Sequence, residues 1–278
     1  MNFKDYGSHS SRTRTLVIGV RKDLQNISPF DIFPEKHKPK TLRKLFSGLE
    51  QLNEMGQISL CDIFHSFREY NPKMLPWIEN LKEGESAFQN TEEERIPHQI
   101  KNGKIVFNES KNGDKYARWY WDREGPCVHT RNDILSSQNT VHPAENRVFS
   151  IRELMLMMSI PDTFQWTNQS TEKLNKMSLL EKKMFLKKEE LNIRHCIGEA
   201  VPTGVFGNIA KRIKEVLNQK FLSTTEINNV IKKEELSETE NLLSFINSDF
   251  AKLGLENIYQ IAEYANSSRQ ENSAFFTR

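Results

Sequence analysis

The chain has 278 residues, of which 37% are hydrophobic and 27% charged, and its formal net charge is +2. This length is enough for one large domain or two small ones, and so small a net charge does not by itself indicate nucleic-acid binding. No apolar run reaches the roughly 18 residues of a membrane-spanning helix, and the first residues lack the layout of a signal peptide. The three cysteines show no C-x-x-C spacing, which argues against a metal site or a disulfide framework. We therefore expect a cytoplasmic protein.

The first 22 residues contain two arginines ahead of an apolar run. Arg12 and Arg14 are followed by Leu-Val-Ile-Gly-Val at residues 16–20. A continuous apolar run is typical of a strand covered on both faces, as in a parallel sheet. No other strand of such a sheet precedes it, so we expect the chain to begin inside a domain. On its own, the arginine pair would more commonly form surface ion pairs.

Prolines recur through the region that follows, so long helices are not expected there. The exception is residues 41–52, where five apolar side chains share one helical face: Leu42, Leu45, Phe46, Leu49 and Leu52. Residues 105–107 and 116–121 predict a β-hairpin with an Asn-Gly turn at residues 112–113. The Trp-Tyr-Trp cluster at residues 119–121 could stack on a base, although such clusters more often fill a small core.

Two Ser-x-x-Glu sequences predict the starts of helices. Ser150 and Glu153 precede an apolar stretch that ends at Pro161, so a short capped helix is expected. Ser178 and Glu181 predict a second, surface helix in the Lys/Glu-rich residues 167–192.

The carboxyl-terminal part of the chain is also predicted to be helical. Residues 203–217 predict an amphipathic helix whose apolar side is formed by Val205, Ile209, Ile213 and either Val216 or Leu217. Short helices are expected around 223–236, 238–250 and 255–266, followed by a polar, disordered tail at 266–278.

Three stretches resemble conserved blocks of one enzyme family. Residues 147–153, Arg-x-Phe-Ser-x-Arg-Glu, followed by an apolar helix and Ile-Pro-Asp-x-Phe at 160–164, resemble the ninth block of the DNA cytosine-5 methyltransferases. Ile-Gly-Glu-Ala-Val-Pro at 197–202 resembles the tenth block, and Tyr-Gly at 6–7 with Arg12-x-Arg14 resembles the eighth. Each is weak alone, but three in the right order make a specific signal.

The resemblance implies an α/β fold. The chain would supply the terminal strand and helices of a Rossmann-like, S-adenosyl-L-methionine-dependent methyltransferase, a mixed α+β target recognition domain and a helical tail. The implied boundaries are residues 1–22 for the end of the catalytic domain, 23–140 for target recognition, 141–217 for the ninth and tenth blocks, and 218–278 for the tail.

The resemblance also implies roles for particular residues. Arg12 and Arg14 would contact a cytosine flipped out of the duplex, where a fixed cation stabilises the charge that builds on the ring oxygen O2. The other implied roles are contact with S-adenosyl-L-methionine for Gly198, Glu199, Ala200 and Val201, contact with DNA for Thr130, Arg131 and Asn132, and internal hydrogen bonds for Arg147, Arg152 and Glu153.

The sequence departs from the family pattern at two of these blocks. Ser10 stands where the eighth block usually has Gln, and Glu199 stands where the tenth block has Asn. A carboxylate can accept hydrogen bonds but cannot donate them, so Glu199 keeps half of what an Asn offers.

The family's other chemical blocks have no match in this chain. These are the Gly-rich cofactor loop, the Pro-Cys nucleophile and the Glu-Asn-Val acid. Pro126-Cys127 follows the eighth block and lacks the succeeding Gln, so it is not expected to be the nucleophile. The resemblance therefore implies one subunit of a split restriction-modification methylase, which acts on double-stranded DNA with an amino-terminal methyltransferase subunit. The alternative is a non-catalytic, sequence-specific DNA-binding module or an inactive truncated methylase.

Overall fold

In a computed structural model of the chain, the described residues are 1–21, 24, 27–109 and 113–233, with side chains described to residue 218. The chain divides into two compact units, Met1–Leu217 and Asn218–Arg278. The helices predicted at 238–250 and 255–266, and the predicted tail, lie outside the described residues. None of the described helices is both long and apolar enough to cross a membrane.

Helices dominate the described part of the chain. They are α1 Leu42–Leu45, α2 Leu75–Ile78, α3 Ile151–Met157, α4 Thr171–Asn175, α5 Leu179–Glu199 and α6 Thr203–Lys233. The strands β1 His98–Lys101 and β2 Lys104–Phe107 form one two-stranded antiparallel sheet. Short 3-10 turns lie at Phe3–Tyr6, Pro29–Ile32, Pro72–Met74, Ala87–Gln89 and Glu93–Arg95.

Both predicted capping boxes are confirmed. At the start of α3, Ser150 N donates to Glu153 Oε2 at 2.7 Å while Glu153 N donates to Ser150 Oγ at 3.2 Å. At the start of α5, Ser178 N donates to Glu181 Oε2 at 2.8 Å. Each pair satisfies backbone N–H groups that have no partner inside the helix.

The amphipathic helix predicted at 203–217 is present as the first half of α6. Val205, Ile209 and Val216 are buried, as the pattern predicts, whereas Ile213 is 37% exposed. The buried apolar face of α6 is therefore narrower than the sequence indicates.

The helix predicted at 41–52 is much shorter in the structure. Helix α1 ends at Leu45, and the chain turns through Ser47 and Gly48, because glycine is a poor helix former. Leu42 and Leu52 are nevertheless fully buried, so the apolar residues are core residues without the predicted helix.

The hairpin forms earlier in the chain than predicted, between residues 98–101 and 104–107. The observed turn uses Asn102 and Gly103, with φ values of 51° and 71°, rather than the Asn-Gly pair at 112–113. Two positive φ values are the requirement of a type I′ turn, and an Asn-Gly sequence favours them. Residues 115–118 instead form isolated bridges with distant segments, such as Ser86 with Ala117.

The strand predicted at 16–20 is absent. These residues form no bridge or backbone hydrogen bond with other described residues, and Val17 is 89% exposed. A strand of this type is stable only when neighbouring strands and covering helices are present. The described residues contain no parallel sheet that could supply them.

The hydrophobic core crosses the boundary predicted at residue 140. The largest cluster joins Leu42, Phe46 and Phe64 to side chains of α3 and α5. A second cluster joins Trp77 and other residues of the middle region to Val141 and Val148. Trp119 and Trp121 are partly buried and pack against the largest cluster, as expected for core residues.

A buried ionic network lies behind α3. Arg147 has no exposed surface, and its guanidinium donates to both carboxylate oxygens of Glu153, at 2.7 and 2.8 Å, and to Glu145 at 2.7 Å. Burial alone would raise the pKa of Glu153, but the charge and hydrogen bonds of Arg147 outweigh it and lower that pKa to about 2. Burial lowers the pKa of neighbouring His142 to about 3, so this imidazole is neutral.

Removing the buried cation should destabilise the protein strongly. The substitution Arg147→Ala leaves Glu153 and Glu145 without their partner, and breaking a buried pair in this way costs about 3–5 kcal/mol. The control is Arg95→Ala, which removes a partly exposed ion pair with Glu92 and should cost under about 1 kcal/mol. Urea unfolding measures both, and equal losses would contradict this account of the network.

Acid should destabilise the protein from the pH at which histidines ordinarily titrate. The unfolded chain protonates His142 near pH 6.5, whereas the folded chain resists protonation until about pH 3. Stability present above pH 6.5 is therefore lost as the pH falls, by about 1.4 kcal/mol per pH unit for one proton. Below about pH 4.5 the depressed pKa of Glu153 adds a loss of the same sign.

The variant His142→Asn isolates the histidine contribution. An Asn oxygen can replace Nδ1 as acceptor for the backbone N–H of Glu145, now at 3.0 Å. Between pH 6.5 and 4.5, we expect the unfolding free energy of the variant to fall less steeply with pH than that of the parent. The difference in slope corresponds to about one bound proton. Chemical denaturation at several pH values measures this, and parallel curves would show that His142 does not contribute.

Candidate active-site cleft

The amino-terminal segment is held against residues 125–128. Gly125 N donates to His9 O at 2.8 Å, and Ser11 N donates to Gly125 O at 3.0 Å. Ser10 is fully buried and donates from its hydroxyl to Pro126 O at 2.5 Å. This pairing brings Arg12 and Arg14 next to a part of the chain more than a hundred residues away.

Helix α5 approaches the same segment from another side. A Cβ atom added at Gly198 would lie 2.5 Å from His129 O and from the Cα atom of Thr130. The approach is fixed by Asn132, whose amide donates to His129 O at 2.6 Å and to Arg194 O at 2.9 Å. Only a residue without a side chain permits this contact between helix and loop.

Arg12 links the two contacts. Its side chain is 7% exposed, and Nη1 donates to Gly198 O at 2.8 Å and to Val128 O at 3.4 Å. Its Nε is buried without a partner. Burial and the nearby charge of Arg14 lower the pKa of Arg12, but an arginine remains charged in proteins.

These contacts enclose a cleft of about 430 Å³. Its lining residues come from three separate stretches of the chain and are Arg12, Arg14, Cys127, Val128, His129, Thr130, Gly198 and Glu199. Arg14 is exposed, and its Nη1 donates to Thr13 O at 2.7 Å. Its other N–H groups have no partner among the described residues, so they are available to a ligand.

The cleft is positively charged apart from one carboxylate. Burial, together with the charge of Arg12, lowers the pKa of His129, so this ring is neutral at pH 7. The side chain of Glu199 is 64% exposed and lies 3.3 Å from His195 Nε2, one turn earlier in α5. The cleft therefore combines a guanidinium with free N–H groups, that of Arg14, and an exposed acceptor, the Glu199 carboxylate, and these are the kinds of group to which a polar ring can bond.

The remaining site residues predicted from the sequence lie outside the cleft. Asn132 is 3% exposed, and its amide donates two internal hydrogen bonds. Arg131 is exposed and pairs with Asp133 at 3.0 Å. Ala200 ends α5, and Val201 is 45% exposed beyond it.

Arg147, Arg152 and Glu153 form hydrogen bonds inside the protein. Arg147 and Glu153 form the ionic network described above, and Arg152 pairs with Asp62 through Nε and Nη2. Arg194, which the sequence did not single out, is fully buried and donates to Phe149 O at 2.9 Å. Because Arg194 also donates to Asn132, it connects the cleft to the core.

Three lining residues were not predicted as site residues: Cys127, Val128 and His129. The sequence signals for them were the Pro126-Cys127 pair, which is not expected to be the nucleophile, and the position of Val128 and His129 directly before Thr130. The sequence around Cys127 argues against a nucleophile, and the structure places its thiol in the cleft, partly exposed.

Two glycine substitutions should have opposite effects. Alanine is the better helix former, so Gly207→Ala in α6, with open space around its Cβ, should stabilise the protein by about 0.5–1 kcal/mol. Gly198→Ala should instead cost about 1–3 kcal/mol, because its Cβ would push against residues 129–130. Thermal unfolding of the two variants measures this, and a stabilised Gly198→Ala would refute the close approach.

A family model for C-5 cytosine-specific DNA methylases matches residues 1–215. The chain is 26% identical over 219 residues to the Type II methyltransferase M1.HgaI of Avibacterium volantium, covering 75% of this chain and 52% of that protein. It is 25% identical over 215 residues to the Type II methylase M.HgiDII of Herpetosiphon aurantiacus, covering 77% and 53%. The chain therefore spans about half the length of these relatives. On the extent of the family match, it belongs to the C-5 cytosine-specific DNA methylases.

Proposed function

We propose that this chain is the DNA-recognition and base-pocket part of a DNA (cytosine-5) methyltransferase. The whole enzyme would transfer a methyl group from S-adenosyl-L-methionine to C5 of cytosine in double-stranded DNA, within a restriction-modification system. The observation that carries this proposal is the cleft, because it gathers Arg12, Arg14, Thr130 and Glu199 from three distant stretches of the chain.

We further propose that an amino-terminal subunit completes the enzyme. Both named relatives are about twice as long as the matched region, and the nucleophile and cofactor-loop blocks have no match here. Residues 16–20 are apolar and lack backbone partners among the described residues. A sheet in the other subunit would satisfy these groups and restore the buried strand that the sequence predicts.

In this proposal the arginines have different tasks. A flipped cytosine enters the cleft, and Arg14 directs its free N–H groups at the ring oxygen O2, where negative charge builds as the nucleophile adds to C6. A cation fixed in that position stabilises the transition state more than the ground state. Arg12 positions the wall of the pocket through its bonds to Gly198 O and Val128 O.

The cofactor would be shared between the subunits. When bound, S-adenosyl-L-methionine supplies the methyl group. In this chain the Glu199 carboxylate fits a ligand that carries amino and hydroxyl donors, since it is exposed at the cleft and can only accept. Val201 offers a neighbouring apolar surface, whereas the carbonyl oxygen of Gly198 is already bonded to Arg12.

Reconstitution tests the proposal. The chain is mixed with an amino-terminal half that carries the Gly-rich loop and the Pro-Cys block, and incorporation of labelled methyl groups into duplex DNA is measured. We expect transfer to C5 of cytosine by the mixture and by neither part alone. Sequence-specific duplex binding without transfer in any mixture would overturn the proposal and favour a non-catalytic DNA-binding module or an inactive truncated methylase.

Replacing Arg14 should separate catalysis from binding. In the reconstituted enzyme Arg14→Ala should lower kcat by about 10²–10³-fold, as for other groups that stabilise developing charge, and change duplex affinity little. Arg14→Lys keeps the charge but not the planar fork, so it should recover part of the rate. The matched control is Arg43→Ala, whose exposed side chain pairs with Asp122 outside the cleft. Normal turnover in Arg14→Ala would remove the residue from this role.

A further inference from the structure

The β1–β2 hairpin stands out because nearly all of it is exposed. Of its eight strand residues, seven are exposed and only His98 is partly buried. Its apolar members Ile100, Ile105, Val106 and Phe107 are between 42% and 65% exposed. An isolated two-stranded ribbon is at best marginally stable in water, so the contacts at its base and its partners decide whether it persists.

The base of the hairpin is anchored to the folded unit. The ring of His98 lies 5.6 Å from that of buried Trp77, and Asn108 N donates to Pro97 O at 2.8 Å. The type I′ turn at Asn102-Gly103 gives the ribbon a defined register. The ribbon is therefore held at one end and presents its tip to solvent.

The register gives the ribbon two different faces. His98, Ile100, Ile105 and Phe107 share the face that contacts Trp77. The opposite face carries Gln99, Lys101, Lys104 and Val106. Since His98 turns the first face toward the protein, the amide and ammonium groups point away from it.

Lys101 and Lys104 indicate the charge that a binding partner of the hairpin would carry. Lys101 and Lys104 lie directly opposite each other on one face, an arrangement that is unfavourable between like charges. Neither has a hydrogen bond or an ion pair within the part of the chain that the structure describes. The carboxylates nearest in sequence, Glu94 and Glu109, lie beyond the base of the hairpin. An anionic partner at the tip would relieve the repulsion.

We propose that this hairpin enters the major groove of duplex DNA with its Gln99, Lys101 and Lys104 face toward the DNA. The major groove, about 12 Å wide, admits a two-stranded β-ribbon, and its base edges distinguish all four base pairs, which the narrower minor groove does not allow. Gln99 can pair with adenine and Val106 can contact the thymine methyl group at base edges, while Lys101 and Lys104 neutralise phosphates beside the groove. The inference rests on the proposed DNA substrate and assigns a recognition element within residues 23–140.

Fluorescence anisotropy with the full chain tests the proposal. The probe is a labelled 30-base-pair duplex of mixed sequence, titrated at several salt concentrations. The double variant Lys101→Ala/Lys104→Ala should bind about tenfold more weakly and reduce the slope of log affinity against log salt by up to about 1.8, because each phosphate that a lysine neutralises adds about 0.9. The matched control is Lys183→Ala/Lys187→Ala, on the exposed side of α5, which should change neither quantity.

Two further measurements sharpen the result. Lys101→Arg/Lys104→Arg should retain duplex affinity, because the charge is preserved. Lys101→Ala/Lys104→Ala should weaken binding to the single strand of the same sequence much less than binding to the duplex. Equal losses on both forms would overturn the groove contact, as would unchanged duplex affinity in the alanine pair.

The outcome is distinguishable from a failure of the proposed function. If the alanine pair binds duplex normally while Arg14→Ala abolishes methyl transfer, the hairpin inference fails and the methylase function stands. If the alanine pair loses duplex affinity but no reconstituted mixture transfers methyl groups, the hairpin inference stands. Absence of any duplex binding by the parent chain would overturn the hairpin inference, whereas methyl transfer by the reconstituted mixture decides the proposed function.

Discussion

The close approach of helix α5 to residues 129–130 is the constraint on which the cleft depends. Gly198 permits the approach, since a Cβ there would fall 2.5 Å from backbone atoms of the facing loop. Asn132 ties that loop to α5, and Arg12 joins the amino-terminal segment to the carbonyl of Gly198. Three stretches that are distant in sequence thus become one wall. The buried side chains of Arg12 and Asn132 hold this wall by donating to backbone carbonyls, so both ends of each hydrogen bond are fixed by the surrounding structure.

The arginines of this chain show how one residue type serves structure or ligand binding. Arg147 is buried with two carboxylates around it, which balances its charge and makes it a fixed part of the core. Arg12 donates only to carbonyls and keeps one buried N–H unpaired, while Arg14 is exposed at the mouth of the cleft. The charges of Arg12 and Arg14 thus lie in the cleft, where the proposed reaction needs a cation. A buried cation without a counter-ion is costly, which is consistent with a site formed for an external partner.

Local chemistry made part of this fold predictable. The helix starts at Ser150 and Ser178 depend on side-chain hydrogen bonds within four residues, so the sequence alone identifies them. The hairpin was harder, because Asn-Gly occurs at both 102–103 and 112–113, and only long-range pairing selects the first. The strand at 16–20 depends on neighbours that the described residues do not contain. Resemblance to a family led to Arg12, Arg14, Thr130, Gly198 and Glu199, but nothing local signalled the burial of Asn132.

Cys127 offers the most direct measurement of whether DNA occupies the cleft, since its thiol lines the cleft while that of Cys61 is exposed elsewhere. The rate at which N-ethylmaleimide alkylates each thiol can be followed by mass spectrometry, with and without saturating duplex DNA. If the cleft receives DNA, the duplex should protect Cys127 and leave the rate at Cys61 unchanged. Alkylation of Cys127 at an undiminished rate in the presence of saturating duplex would contradict the central claim.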